Sequence, residues 1–173
     1  GKKFVDASGN INDPTANKGI DPPPVFVRPL EGNIISGNNN DGILFNHSHN
    51  NQVLGNFIGT DNTGNVSLGN GSNGVNLQKS NLNYFYGCGV DSKPFIYYNV
   101  IGGNEEEGIL VHNSNFTTIQ GNFIGIGANN SVSVSNKKNG VKISGTSKST
   151  VFGGIIPLGN VISGNGENGI YAT

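Results

Sequence analysis

The stretch Gly55-Asn56-Phe57-Ile58-Gly59-Thr60-Asp61 returns 66 residues later as Gly121-Asn122-Phe123-Ile124-Gly125. Its centre, Asn, apolar, Ile, then a small residue, occurs five times, beginning at Asn33, Asn56, Asn99, Asn122 and Asn160. A second pattern, Gly, apolar, any residue, apolar, follows each copy and begins at Gly42, Gly74, Gly108, Gly140 and Gly169. From Asn to Gly the distance is nine residues in the first, third and fifth units and 18 in the second and fourth. Every second unit therefore carries nine additional residues, 60–68 and 126–134. Insertions of constant length in a repeat mark loops on one face.

Each unit is too short and too rich in glycine to bury an apolar face alone, so the units must stack and share a core. Strand periodicity points Ile43 and Phe45, Val75 and Leu77, Ile109 and Val111, Val141 and Ile143, and Ile170 and Ala172 inward, leaving Leu44, Asn76, Leu110, Lys142 and Tyr171 outward. Gln52-Val53-Leu54, Asn83-Tyr84-Phe85, Thr118-Ile119-Gln120 and Val151-Phe152 supply a third strand per unit. Asn and Gly suit the bends between strands, since both tolerate left-handed backbone angles, and Asn from successive coils can pair along the stack. The pattern predicts an all-β, single-stranded parallel β-helix of about five coils with three short strands each, spanning residues 32–173.

Composition closes off the alternatives. The 173 residues carry a net charge of −1 and suffice for one domain with a core. Asn (30 residues) and Gly (28) make up about a third of the chain, and no stretch keeps a helical apolar spacing without one of them interrupting it. Low charge and recurring Ile/Val/Phe/Leu clusters argue against disorder. The balance leaves no basic groove for nucleic acid. No apolar run reaches the roughly 20 residues of a spanning helix, and no basic amphipathic stretch suits a lipid surface, so membrane insertion is not expected. A lone Cys88 excludes an intrachain disulfide frame and a cysteine-based zinc site.

The Gly32 to Asn38, Gly55 to Asp61 and Asn168 to Ile170 stretches resemble right-handed parallel β-helix repeats of the pectate-lyase-like superfamily, a resemblance that covers residues 32–173. It implies the right-handed coil. The superfamily includes polysaccharide lyases, glycoside hydrolases, epimerases, viral tailspikes, adhesins and surface proteins, so it does not select a function. For a lyase it implies an arginine base and an acidic calcium cluster, yet Arg28 is the sole arginine and precedes the repeats. For a hydrolase it implies Asn-Thr-Asp, Asp-Asp and Gly-His-Gly motifs, which this chain lacks.

No catalytic residue is therefore assigned, but three sets of side chains invite a test. Asp41 and Glu107 share the position before the repeat Gly with Asn73, Asn139 and Asn168, which places them about 10 Å apart on one line. That is the long end of the separation for inverting glycoside hydrolysis, and it is equally a polar ladder in which acids and Asn interchange. Glu105, Glu106 and Glu107 with Asp41 offer oxygen ligands of the kind calcium takes, beside the plainer reading of a solvated acidic turn. His47, His49 and His112 read as turn histidines, and no metal site is assigned. The loop at residues 84–98 gathers Tyr84, Phe85, Tyr86, Phe95, Tyr97 and Tyr98. With Asp91 and Lys93 nearby, its tyrosines suit a sugar platform or a protein contact, or else pack over the coil. Five Asn-x-Ser/Thr sequons begin at Asn46, Asn65, Asn70, Asn115 and Asn129.

Residues 1–31 lack the repeat and are Pro-rich, the composition of an extended lead or a cap for the first coil. The chain has no Met and no apolar leader, and it stops just after the fifth Gly-apolar strand, so the expectation is a processed product or a segment of a longer chain or stacking assembly. An uncovered coil end exposes strand edges. Two functions follow. One is a non-catalytic structural or adhesive β-helix, extracellular or on a cell or virion surface, that self-associates through coil ends, into fibres, or by trimerisation. The other is a carbohydrate-active module that binds, lyses or hydrolyses a polysaccharide.

Overall fold

The computed structural model describes residues 4–5, 11–12, 32–86, 98–154 and 159–173. Strands are numbered in chain order. Within the Pro-rich lead, β1 (Phe4–Val5) and β2 (Ile11–Asn12) pair antiparallel, an element the repeat pattern did not announce.

The repeat region is a parallel β-solenoid with three walls. The first wall holds β3 (Ile34–Ile35), β6 (Phe57–Ile58), β9 (Val100–Ile101), β12 (Phe123–Ile124) and β15 (Val161–Ile162). The second holds β4 (Ile43–Asn46), β7 (Val75–Gln78), β10 (Ile109–His112), β13 (Val141–Ser144) and β16 (Ile170–Ala172). The third holds β5 (Gln52–Leu54), β8 (Tyr84–Tyr86), β11 (Thr118–Gln120) and β14 (Val151–Phe152). The described strands thus make four complete coils and two strands of a fifth. Register follows the repeat motifs: Ile43, Val75, Ile109, Val141 and Ile170 align, as do Ile35, Ile58, Ile101, Ile124 and Ile162.

Period two decides the interior. Ile58, Ile101 and Ile124 from the first wall, Val75, Leu77, Ile109, Val111 and Val141 from the second, and Val53, Phe85 and Ile119 from the third meet in one buried core. Ile170 aligns with this set but is exposed, because it belongs to the last described coil. A Cβ on Gly108 would lie 2.6 Å from the carbonyl oxygen of Gly140 in the next coil, so a side chain there would push the coils apart.

The corners between walls are built from side-chain ladders. Entering the first wall, the amides of Asn33, Asn56, Asn99, Asn122 and Asn160 bond one to the next. Leaving it, Asn38, Asn70, Asn104, Asn136 and Asn165 do the same at 2.8 to 2.9 Å. The same amides reach main-chain carbonyls at strand ends: Asn70 to Ile35, Asn136 to Ile101 and Asn165 to Ile124. Between the second and third walls, Ser80, Ser114 and Ser147 each accept the N–H of the preceding coil, from Ser48, Ser80 and Ser114. Asn51 and Asn83 begin a further ladder, which stops where Thr117 and Thr150 take over and leave their buried hydroxyls without a partner among the described residues.

The first wall is apolar outside as well as inside. Phe57 and Val100 face outward yet are buried. The nine-residue insertions cover them. Each closes with an antiparallel bridge, Thr60 to Ser67 and Ile126 to Ser133, and the two meet over the short coil between them, where Ala128 N–H donates to Gly64 O and Asn129 N–H to Asn65 Oδ1. Tyr98 lays its ring on Phe123 with centroids 4.3 Å apart and donates its hydroxyl to Ala128 O.

Replacing Asn104 by Ala removes an acceptor that two N–H groups of Asn70 use in a dry corner. Unmet buried donors cost about 1–3 kcal/mol each, so Asn104→Ala should lose about 2–4 kcal/mol in urea unfolding. Asn38→Ala, at an exposed rung, should lose less than about 1 kcal/mol.

Candidate functional site

Outward residues of the third wall fall into three rows running along the stack. The first row precedes the strands and holds Asn50, Leu82, Phe116 and Ser149. The second holds Gln52, Tyr84, Thr118 and Val151, and the third Leu54, Tyr86 and Gln120. No charged residue stands among them. All four first-row residues have positive φ, between 56 and 59°. Asn tolerates that conformation, but for Leu82 and Phe116 it costs about 1–2 kcal/mol each. Neither recovers that cost by burial, since Leu82 is 38% and Phe116 56% exposed. Beside them the rings of Tyr84 and Tyr86 stack, with centroids 5.5 Å apart and planes 19° from parallel. Burial first, and the neighbouring Tyr84 second, push the Tyr86 phenol above its ordinary value.

This face holds two of the expected aromatic residues, Tyr84 and Tyr86, which belong to β8 and not to a loop. Tyr98 packs instead against the outside of the first wall, and burial raises its phenol too. Asp91, Lys93 and Tyr97 lie outside the described residues. Leu82 and Phe116 were missed because a bulky residue at a bend carries no sequence signal by itself. Their spacing from Tyr84 and Thr118, two residues in both coils, was the available clue.

The line through Asp41 and Glu107 is a continuous hydrogen-bonded ladder. Asn73 stands between the two acids, donating to Asp41 Oδ1 at 2.8 Å and accepting the Glu107 N–H through its own Oδ1 at 3.2 Å. Asn139 donates to Glu107 Oε2 from both its main chain and its amide. Glu107 is 3% exposed, and its other oxygen faces Lys142 Nζ at 3.4 Å. Donors run the opposite way here from the two asparagine ladders: each coil accepts from the next. An acid is admissible for that reason, because a carboxylate only accepts.

Glu106 binds Lys138 at 2.8 Å, and Glu105 pairs with Lys137. Among the described residues no three His, Cys, Asp or Glu groups converge as a metal site would require. The histidines also stand apart. His47 bonds Asn46, His49 accepts from the Asn81 N–H, and His112 lies between Ser144 and Asn113. His112 and Ser144, 2.9 Å apart, have the distance of a nucleophile–base pair but not its polarity. Asn113 Oδ1 accepts from Thr146, so its amide nitrogen donates to His112 Nε2. Nδ1 then carries the proton and donates to the serine, which leaves no lone pair to activate it.

No family model, curated protein or solved structure matches this chain. The functional reading rests on the side chains themselves. Among the described residues no helix is long and apolar enough to cross a membrane.

Two outcomes follow from the charged ladder. Glu107→Gln keeps an acceptor for Asn139 and adds a donor toward Asn73, so its stability should stay within about 1 kcal/mol, whereas Glu107→Ala should lose about 2–4 kcal/mol. Chemical unfolding of both variants checks this. The second outcome concerns acid. The hydrogen bond from Lys138 foremost holds the Glu106 carboxyl below its ordinary 4.5. For Asp61 burial acts upward, but the Thr63 hydroxyl and the N–H groups of Val66 and Asn65 outweigh it and hold the carboxyl below 3.8. Both groups bind protons less readily folded than unfolded, so their stabilisation is complete above those ordinary values and is lost as pH falls through the lowered ones. Urea midpoints measured across that acid range should fall, and Glu106→Gln should flatten the fall.

Proposed function

We propose that this chain is a non-catalytic structural or adhesive β-helix of the pectate-lyase-like type, working outside the cell or on a cell or virion surface. The observation that carries the reading is the commitment of its reactive side chains. Asp41 and Glu107 are acceptors in a corner ladder, Glu105 and Glu106 face lysines, and His112 presents a proton to Ser144 and not a lone pair. General acid–base work needs a carboxyl or imidazole able to exchange a proton with a substrate. Here those groups hold coils together.

A stack that repeats every coil lends itself to assembly, since strand edges and ladders can continue across a junction between copies. Self-association, end to end into fibres or as a trimer, belongs to the proposal. It requires no cofactor. The superfamily-like motifs at 32–38 and 55–61 support the assignment of type, and the low charge supports a partner other than nucleic acid or lipid.

Electron microscopy and sedimentation at several concentrations test the reading together with a polysaccharide panel. Rods or fibres that lengthen with concentration, and no new unsaturated or reducing ends on any polymer, are expected. Turnover of a polysaccharide that Glu107→Gln abolishes while the fold survives would overturn it.

A further inference from the structure

We infer that the outer face of the third wall binds an uncharged polysaccharide lying along the axis of the stack. The inference is independent of the rod reading above.

Four observations on this face converge. It presents six large apolar or aromatic side chains, Leu54, Leu82, Tyr84, Tyr86, Phe116 and Val151, of which four are more than a third exposed: Leu54 47%, Leu82 38%, Phe116 56% and Val151 49%. The fold does not use these four for its core. Second, Leu82 and Phe116 keep bulky side chains at left-handed backbone positions, φ 58 and 56°, where the equivalent residues of the neighbouring coils are Asn50 and Ser149. Strain of this kind, without compensating burial, is characteristic of binding surfaces. Third, the polar groups between the apolar ones are amides and hydroxyls, Gln52, Thr118 and Gln120, suited to hydroxyl-bearing ligands. Fourth, the rows carry no charge, while the charges of the second-wall corners lie in Glu–Lys pairs.

The chemistry of the ligand follows. Aromatic faces pack against the C–H face of a sugar ring, and amides bond its hydroxyls, whereas a uronate would find no cation on this face. A linear polymer along the axis meets the same rows every coil, at intervals of about 4.8 Å. A membrane or an acidic protein would need an apolar or a basic surface in place of this neutral mixture.

Affinity electrophoresis through gels containing hydroxyethyl cellulose, mannan or xylan tests the inference, with polygalacturonate as the charged control and calorimetry for affinity. At least one uncharged polymer should retard the protein, insensitively to salt. Tyr84→Ala and Tyr86→Ala should each weaken binding at least tenfold. Phe116→Asn is the discriminating variant, since it relieves the backbone and removes the ring: it should unfold at equal or higher urea and still bind at least threefold more weakly. Absence of retardation by all three uncharged polymers, retardation unchanged in the three variants, or salt-sensitive binding to polygalacturonate alone would each refute the proposal. Sedimentation guards against another occupant. If the protein self-associates, the Tyr86→Ala variant sediments as a monomer and no polymer binds, the face is a contact between copies and the inference is wrong.

Discussion

The structure depends on how its corners satisfy buried main-chain groups. A coil that bends three times within 23 residues, as from Asn33 to Asn56, must turn its backbone where neither sheet hydrogen bonds nor water are at hand. Asparagine resolves this with one side chain. Its carbonyl takes the N–H groups of an adjacent rung, and its amide reaches both the following rung and a strand-end carbonyl, as Asn136 does with Asn104, Asn165 and Ile101. Neither Asp nor Gln offers this combination at that reach. The polarity of each ladder then decides which substitutions are admissible. Where the side chain must donate upward, the described rungs are all Asn, and where it accepts from above, Asp41 and Glu107 stand in the line.

The strands were legible because their apolar spacing is strict and five copies could be compared. The third wall was legible at Val53 and Ile119, whose neighbours alternate cleanly, and harder to see at Phe85, between two tyrosines. Pairing of stacked Asn was anticipated from their recurrence. The serine ladder through Ser48, Ser80, Ser114 and Ser147 was not, because Ser is common in the chain and its rungs stand between unlike neighbours. The acids before the repeat Gly shared a line in the sequence, but only the side-chain geometry shows Asn73 bonded to both.

The outer covering of the first wall shows a different limit. In all five copies of the repeat the residue before the inward Ile is apolar, Ile34, Phe57, Val100, Phe123 or Val161, and two adjacent apolar residues in a strand imply burial on both faces. That signal was present. What it could not reveal was the cover. The insertions at 60–68 and 126–134 consist mainly of Asn, Ser, Thr, Gly and Val, a composition that gives no hint that they fold back onto Phe57 and Val100. Contact over the intervening short coil makes the pair of coils, and not the single coil, the smallest unit whose exterior is complete.

That pairing has an evolutionary consequence. A gene encoding such a stack changes length by duplicating or losing whole repeats. Loss of one short coil would bring the loops of two long coils into adjacent layers, where Gly64 already touches Ala128 with a coil between them. Gain of one would separate the loops and uncover Val100. Recombination in steps of 66 residues leaves every loop contact and every rung in place, so the lengths open to related chains are quantised in pairs of coils.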